Sequence, residues 1–310
     1  MAKLADKFSR SWRLFVCSYQ IIVKNKQLLL FPVLSFCFTL AIALFFLLPI
    51  VLFPTGQPWS DAHHWHTILN RLPGATIHGN GEQPSPDFKI IAYSYLAVCY
   101  LLSMFSATFC NVAFYNEIIK ALAGDTVSVG EGFKFARRRI RSILVWSLFA
   151  GAVGLIIQAL ERRSGWIGRI VMGFVGMAWS VASVFVIPVM IREECTNPIT
   201  LLKNSAATLK KTWGESLIGY IGLNIGNGVF LLVSIMAFVA IGVVSLLLHS
   251  VLLILMALAA WVFASFVFSY FVSTASSVYR CALYVYASEG AVPAPYTTDL
   301  MDGAWKVKKS

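Results

Sequence analysis

A chain of 310 residues that is 58% hydrophobic and 13% charged, with a mean hydropathy of +0.74, lies outside the range of water-soluble globular domains and points to lipid. Its net charge of +11 argues for anionic headgroups and against nucleic acid as the partner, because the basic residues flank apolar runs and form no continuous basic domain. Six cysteines, Cys17, Cys37, Cys99, Cys110, Cys195 and Cys281, lie in or beside those runs without a CxxC pair, which argues against a disulfide framework or a zinc site.

From the N-terminus, Leu4, Phe8, Trp12, Phe15 and Tyr19 recur at helical spacing while Lys3, Lys7, Arg10 and Arg13 occupy other faces, the pattern of an amphipathic helix. The first apolar run, Leu28 to Phe53, starts too late for a cleavable leader and lacks a small-residue cleavage site, so it is expected to stay as a span. A hydrocarbon core of about 30 Å needs about 20 helical residues, and a backbone in lipid must satisfy its own hydrogen bonds. Five more runs meet that length: Ile90 to Phe114, Ile143 to Leu160, Ile167 to Ile191, Leu217 to about Leu248, and Ser250 to about Ala275.

Between them lie Pro54 to Lys89, expected to be an irregular outer loop rich in Pro and Gly, and two further basic amphipathic segments. The stripe of the second is Val129, Phe133, Ala136 and Ile140, and that of the third is Leu202, Ala206, Leu209 and Trp213. Glu161 to Gly165 should turn a tight hairpin, and the unbroken stretch Leu217 to Ala275 should reverse at His249 and Ser250 or at Gly242. The expected fold is an all-α integral membrane helical bundle: six transmembrane helices with three interfacial amphipathic helices, their apolar stripes in the acyl boundary. It forms one membrane domain over 1–310, in three repeats of amphipathic helix plus hairpin at approximately 1–117, 126–191 and 199–290, followed by a cytoplasmic tail, 291–310.

Counting Lys and Arg beside the spans with the N-terminus inside puts 20 in the cytoplasmic set and five outside, so both termini are expected in the cytoplasm of a bacterial inner membrane. The basic turn at Arg162 and Arg163 runs the other way.

The segment Ile187 to Glu194, the stretch Ile199 to Glu215 with Ser205 and Thr212 to Glu215, and the opening Ser11-Trp12 with Leu28 to Pro32 carry a resemblance. They resemble a family of uncharacterised bacterial polytopic integral membrane proteins and, more distantly, the membrane domain attached to some glycerophosphodiester phosphodiesterases. The motifs are structural, cover most of the chain and bring no assigned chemistry; the soluble phosphodiesterase domain is lacking.

Polar positions within this frame each have two readings. Asn224 and Asn227, set among Gly219, Gly222, Gly226 and Gly228, suit close helix packing through an amide hydrogen bond, or a broken helix lining a solute path. Asn111 and Glu117 end the second span, where Glu117 is placed to pair with Lys120 one turn on or to act as an intramembrane carboxylate. Glu193 and Glu194 suit a solvated helix end, or paired acid-base carboxylates. His63, His64, His66 and His78 belong to the outer loop and are the one candidate metal set, although their spacing is irregular.

No phosphate cradle, HExxH helix or GxSxG elbow is present, and no cofactor is implied. The leading expectation is a non-enzymatic scaffold or accessory subunit with a membrane-protein partner or a second copy of itself. A transporter or channel using the Gly/Asn-rich fifth span, and a lipid enzyme using Glu117, Glu193 and Glu194, are the rivals.

Overall fold

The computed structural model describes residues 2–52, 55–71, 86–211, 234–236, 238–243 and 251–303, and among them the regular elements are helical. In chain order they are α1 (Ala2–Lys24), a short 3-10 turn (Lys26–Leu29), α2 (Leu30–Val51), α3 (Ala62–Arg71), α4 (Pro86–Ala123), α5 (Val129–Arg138), α6 (Ile140–Arg163), α7 (Trp166–Ala182), α8 (Val186–Arg192), α9 (Pro198–Lys211), α10 (Val251–Glu289) and α11 (Thr298–Gly303). Five stretches are long and apolar enough to cross a bilayer: Lys26–Pro49, Tyr93–Ala123, Ile140–Arg163, Gly168–Arg192 and Leu255–Glu289. The chain is thus a multi-pass membrane protein whose described regular elements are all helical. Most of the expected fifth span and the reversal at His249 and Ser250 lie outside the described residues.

Aromatic contacts fix the hairpins. α2 and α4 run antiparallel, with Phe31 against Phe114 (5.6 Å) at one end and Phe46 against Tyr95 (5.0 Å) at the other. There the Tyr95 hydroxyl also donates to the Phe46 carbonyl at 2.7 Å. α6 and α7 are joined by Ser164 and Gly165 alone, the tight hairpin expected, and Trp146 stacks on Trp179 at 6.0 Å.

Burial is concentrated at one end of this bundle, called the base below. Leu14, Leu28, Ile118, Ile143, Leu201 and Tyr279 belong to a single core cluster, whereas Phe45, Ile90, Phe174 and Phe263, further along the spans, are exposed as acyl-chain contacts would be. α4 and α10 have 38 and 39 residues. At 1.5 Å per residue each is about 57 Å long, well beyond the bilayer core. Their surplus turns at the base, including Val112 to Leu122 and Ala275 to Val285, hold much of the core.

Several expectations are modified. The fourth span is broken at 183–185, between α7 and α8, because Pro188 cannot donate to the carbonyl of Val184 and its ring crowds that turn. Part of the expected outer loop is a helix, α3, started by Asp61, whose carboxylate accepts the His63 amide at 2.9 Å. The expected stripes of α5 and α9 are partly covered by protein: Ala136 is fully buried, Val129 and Phe133 are half-buried and Ile140 is exposed, while Leu209 is buried and Leu202 and Ala206 are half-buried beside the fully buried Leu201 and Ser205. Residues 290–303 do not trail away but fold back on the base, burying Tyr296 and Met301.

Candidate functional site

The base gathers most of the described polar side chains that reach between helices. α4 ends at Gly124, which adopts φ +89°, and the Asp125 amide returns to the Lys120 carbonyl at 3.0 Å, closing the helix in a Schellman turn. The chain then doubles back into α5, which lies against α4. Contact is this close because position 132 is glycine: a Cβ there would stand 2.9 Å from both the Ala113 carbonyl oxygen and Glu117 Cγ, and 3.0 Å from Phe31 Cζ.

Glu117 sits under that crossing, fully buried. Its Oε1 accepts from Lys120 Nζ at 2.8 Å and from Asn116 Nδ2 at 2.9 Å, and its Oε2 accepts the backbone N–H of Ser128 at 2.8 Å. Three donors meet a buried carboxylate, the condition under which such a charge is tolerated. Ser128 is the N-cap residue of α5, so a side chain from α4 caps that helix. Glu131, which Ser-x-x-Glu spacing would assign to this task, points outward toward Lys134 at 3.7 Å.

A second bracket spans the α7–α8 break. Ser205 of α9 donates to the Ala182 carbonyl at 2.6 Å and accepts the Phe185 amide at 3.0 Å, so one hydroxyl satisfies two of the backbone groups that the break sets free. Glu193 accepts from Asn204 Nδ2 at 2.6 Å, Glu194 pairs with Arg139 at 3.1 Å, and Glu289 at the end of α10 pairs with Arg192 at 2.8 Å. Arg280 donates to the Tyr115 hydroxyl at 3.0 Å, tying α10 to α4. Tyr296 shares a hydrogen bond with Ser18 at 2.8 Å, and the Cys17 thiol donates to the Pro295 carbonyl at 3.7 Å, tying the C-terminal segment to α1. Burial pushes the Tyr296 hydroxyl above its ordinary range and raises the Cys17 thiol as well, so both are protonated at neutral pH.

The sequence-derived candidates separate clearly. Glu117 has Lys120 as its partner, while Asn111, half-buried, stands about 120° round α4 from it by helical geometry and does not share its cluster. His64 is buried with its Nδ1 on Thr55 Oγ1, and its neighbours on α3, His63 and His66, are exposed. Among the described residues no three His, Cys, Asp or Glu side chains form a metal-ligand group. His78, Asn224 and Asn227 lie outside the described residues. Sequence reasoning passed over Asn116, Ser128, Arg139 and Asn204 as site residues; only the Ser128-to-Glu131 cap spacing gave a local signal.

Residues 90–293 match the model of a family of unknown function (DUF6159), and the chain belongs to that family. No curated protein and no solved structure matches it.

Proposed function

We propose that this member of the family is a non-enzymatic membrane scaffold or accessory subunit of a bacterial inner-membrane assembly. The observation that carries the reading is the use made of the base carboxylates. Glu117, Glu193, Glu194 and Glu289 are each tied to a donor that holds one segment to another or closes a turn. Acid-base chemistry needs a carboxylate within reach of a substrate proton, and the buried Glu117 already has both oxygens occupied. Rigid bracketing of short helices on a span bundle is what a docking platform requires.

Topology supports six crossings and termini on one side. α1 and the segment 290–303 meet through Ser18 and Tyr296, so both share the base. Lys211 ends α9, which packs on the base, whereas Val251 begins α10 about 30 Å from its own base contacts at 1.5 Å per residue. The two ends of that connection thus stand at different heights of the bundle, which favours a sixth span. Exposed Arg137, Arg138 and Arg141 beside α5, and Lys203, Lys210 and Lys211 on α9, favour a cytoplasmic base facing anionic headgroups and a membrane-protein partner or second copy.

The test is photo-crosslinking from position 203 in native membranes together with the mass of the purified chain in nanodiscs. A discrete adduct, or an oligomer, is expected. A lone monomer that crosslinks to nothing contradicts the reading.

A further inference from the structure

We propose that α1, unlike α5 and α9, is a lipid-docking helix that seats an aromatic ladder in the headgroup boundary of the bilayer. The inference rests on the reading of the chain as a membrane protein and adds to it a division of labour among its three amphipathic helices.

Among the described residues α1 divides into three faces. Leu14, Ser18, Ile21 and Ile22 are buried in the base. Trp12, Tyr19 and Val23 lie within about 20° of one line along the helix at roughly 100° per residue, and they are 58%, 44% and 48% exposed. Arg13 and Lys24, also exposed, fall together on a flank about 100–120° away by the same spacing. A buried face, an apolar aromatic face and a cationic flank are what a helix lying in the plane of an anionic leaflet presents. α5 exposes no large apolar side chain and α9 exposes Ile199 in its first turn, so the described parts of these helices offer cations to water and have little to insert.

The ladder also leads onto lipid-facing surface. Trp12 stacks on Phe15 at 5.7 Å, Phe15 on Tyr19 at 6.3 Å, and Tyr19 meets Phe271 of α10 at 6.3 Å. Phe266 and Phe263, one and two turns up α10 toward its N-terminal end, are exposed. Phe266 and Phe263 stand about 140° and 80° round α10 from Phe271 at 100° per residue, so the aromatic face of α1 meets α10 at the level where its large exposed apolar side chains begin, and amphipathic rings at that level occupy the position of an interfacial belt. Such seating sets the depth of the bundle: α10 above Phe271 is in hydrocarbon, and its turns below belong to the base.

Nitroxide labels on the full-length protein at Trp12→Cys, Arg137→Cys and Phe266→Cys, each in a background whose six native cysteines are replaced by alanine, in vesicles of phosphatidylcholine with and without phosphatidylglycerol, test this by collision with oxygen and with a water-soluble nickel chelate. The label at 12 should collide with oxygen more than with nickel, as should the label at 266, while the label at 137 should do the reverse. Phosphatidylglycerol should deepen the signal at 12. A label at 12 that behaves like 137, or one broadened by a second copy's label, overturns the proposal and leaves the membrane reading standing if 266 remains in lipid. Nickel reaching 266 overturns both.

Discussion

Glu117 caps a helix that is not its own: its carboxylate, on α4, accepts the amide of Ser128 at the start of α5, eleven residues on. Replacing it with leucine strips Ser128 of an acceptor and removes the partner of Asn116 and Lys120, and hydrogen bonds to a charged group contribute about 1.5–3 kcal/mol each. Glu117→Leu should lower unfolding stability in detergent by at least that much. Glu117→Gln keeps an acceptor for Ser128 and should lose less. Equal stability of parent and leucine variant would show that the cap is dispensable.

Gly132 should refuse a methyl group. The Cβ of alanine would approach backbone at Ala113 and the packed Glu117 side chain at 2.9 Å, so α5 has to lift off α4. Overpacking of this kind costs about 1–3 kcal/mol. Hydrogen exchange across 124–138 is the measurement, with faster exchange in Gly132→Ala expected and unchanged protection counting against the close approach.

Ser205→Ala leaves the Ala182 carbonyl and the Phe185 amide without their shared partner at a buried position. The cost should be about 1–3 kcal/mol, read from thermal unfolding, because an orphaned buried group bears its full desolvation penalty. Asn204→Ala, which removes the half-buried contact to Glu193, should cost less. The reverse order would shift the weight of the bracket from the backbone break to the side-chain pair.

The C-terminal strap shields Cys17. Maleimide reacts with the thiolate, and a thiol raised by burial supplies less of it at neutral pH. Labelling of Cys17 should therefore be slow at neutral pH and climb with pH later than for a free thiol. Tyr296→Ala should speed it at every pH. Burial also raises Tyr296, so the strap's contribution is complete below the phenol's ordinary range near pH 10 and declines only above it. Labelling indifferent to residue 296 would mean the strap does not cover α1.

How much of this was legible follows the range of each interaction. A span within Leu28 to Phe53 and a turn within Glu161 to Gly165 were readable because span length and polar interruption are local properties. Glu117 looked interfacial because the apolar run stops at Phe114. Its burial comes from α5 folding back over α4, which depends on Gly132 and Gly124 acting across a turn. The covering of Ala136 on α5 and of Leu209 on α9 was hidden for the same reason, since periodicity marks an apolar face without naming what covers it. Ser205 serves residues about twenty positions away, and nothing in its neighbourhood announces that. α3 was obscured by the Pro and Gly around it, although Asp61 ahead of His64 and Ile68 was a usable start signal.

Sidedness is the proposal on which the whole account turns: the proposed reading puts the base, with its cations, inside the cell and the segment between α2 and α3 outside. Single substitutions Arg137→Cys and Trp59→Cys, labelled in intact spheroplasts with a membrane-impermeant maleimide and compared with the parent chain, measure it directly. Labelling above the parent at 59 and none at 137 is predicted. Labelling at 137 with 59 protected would contradict it.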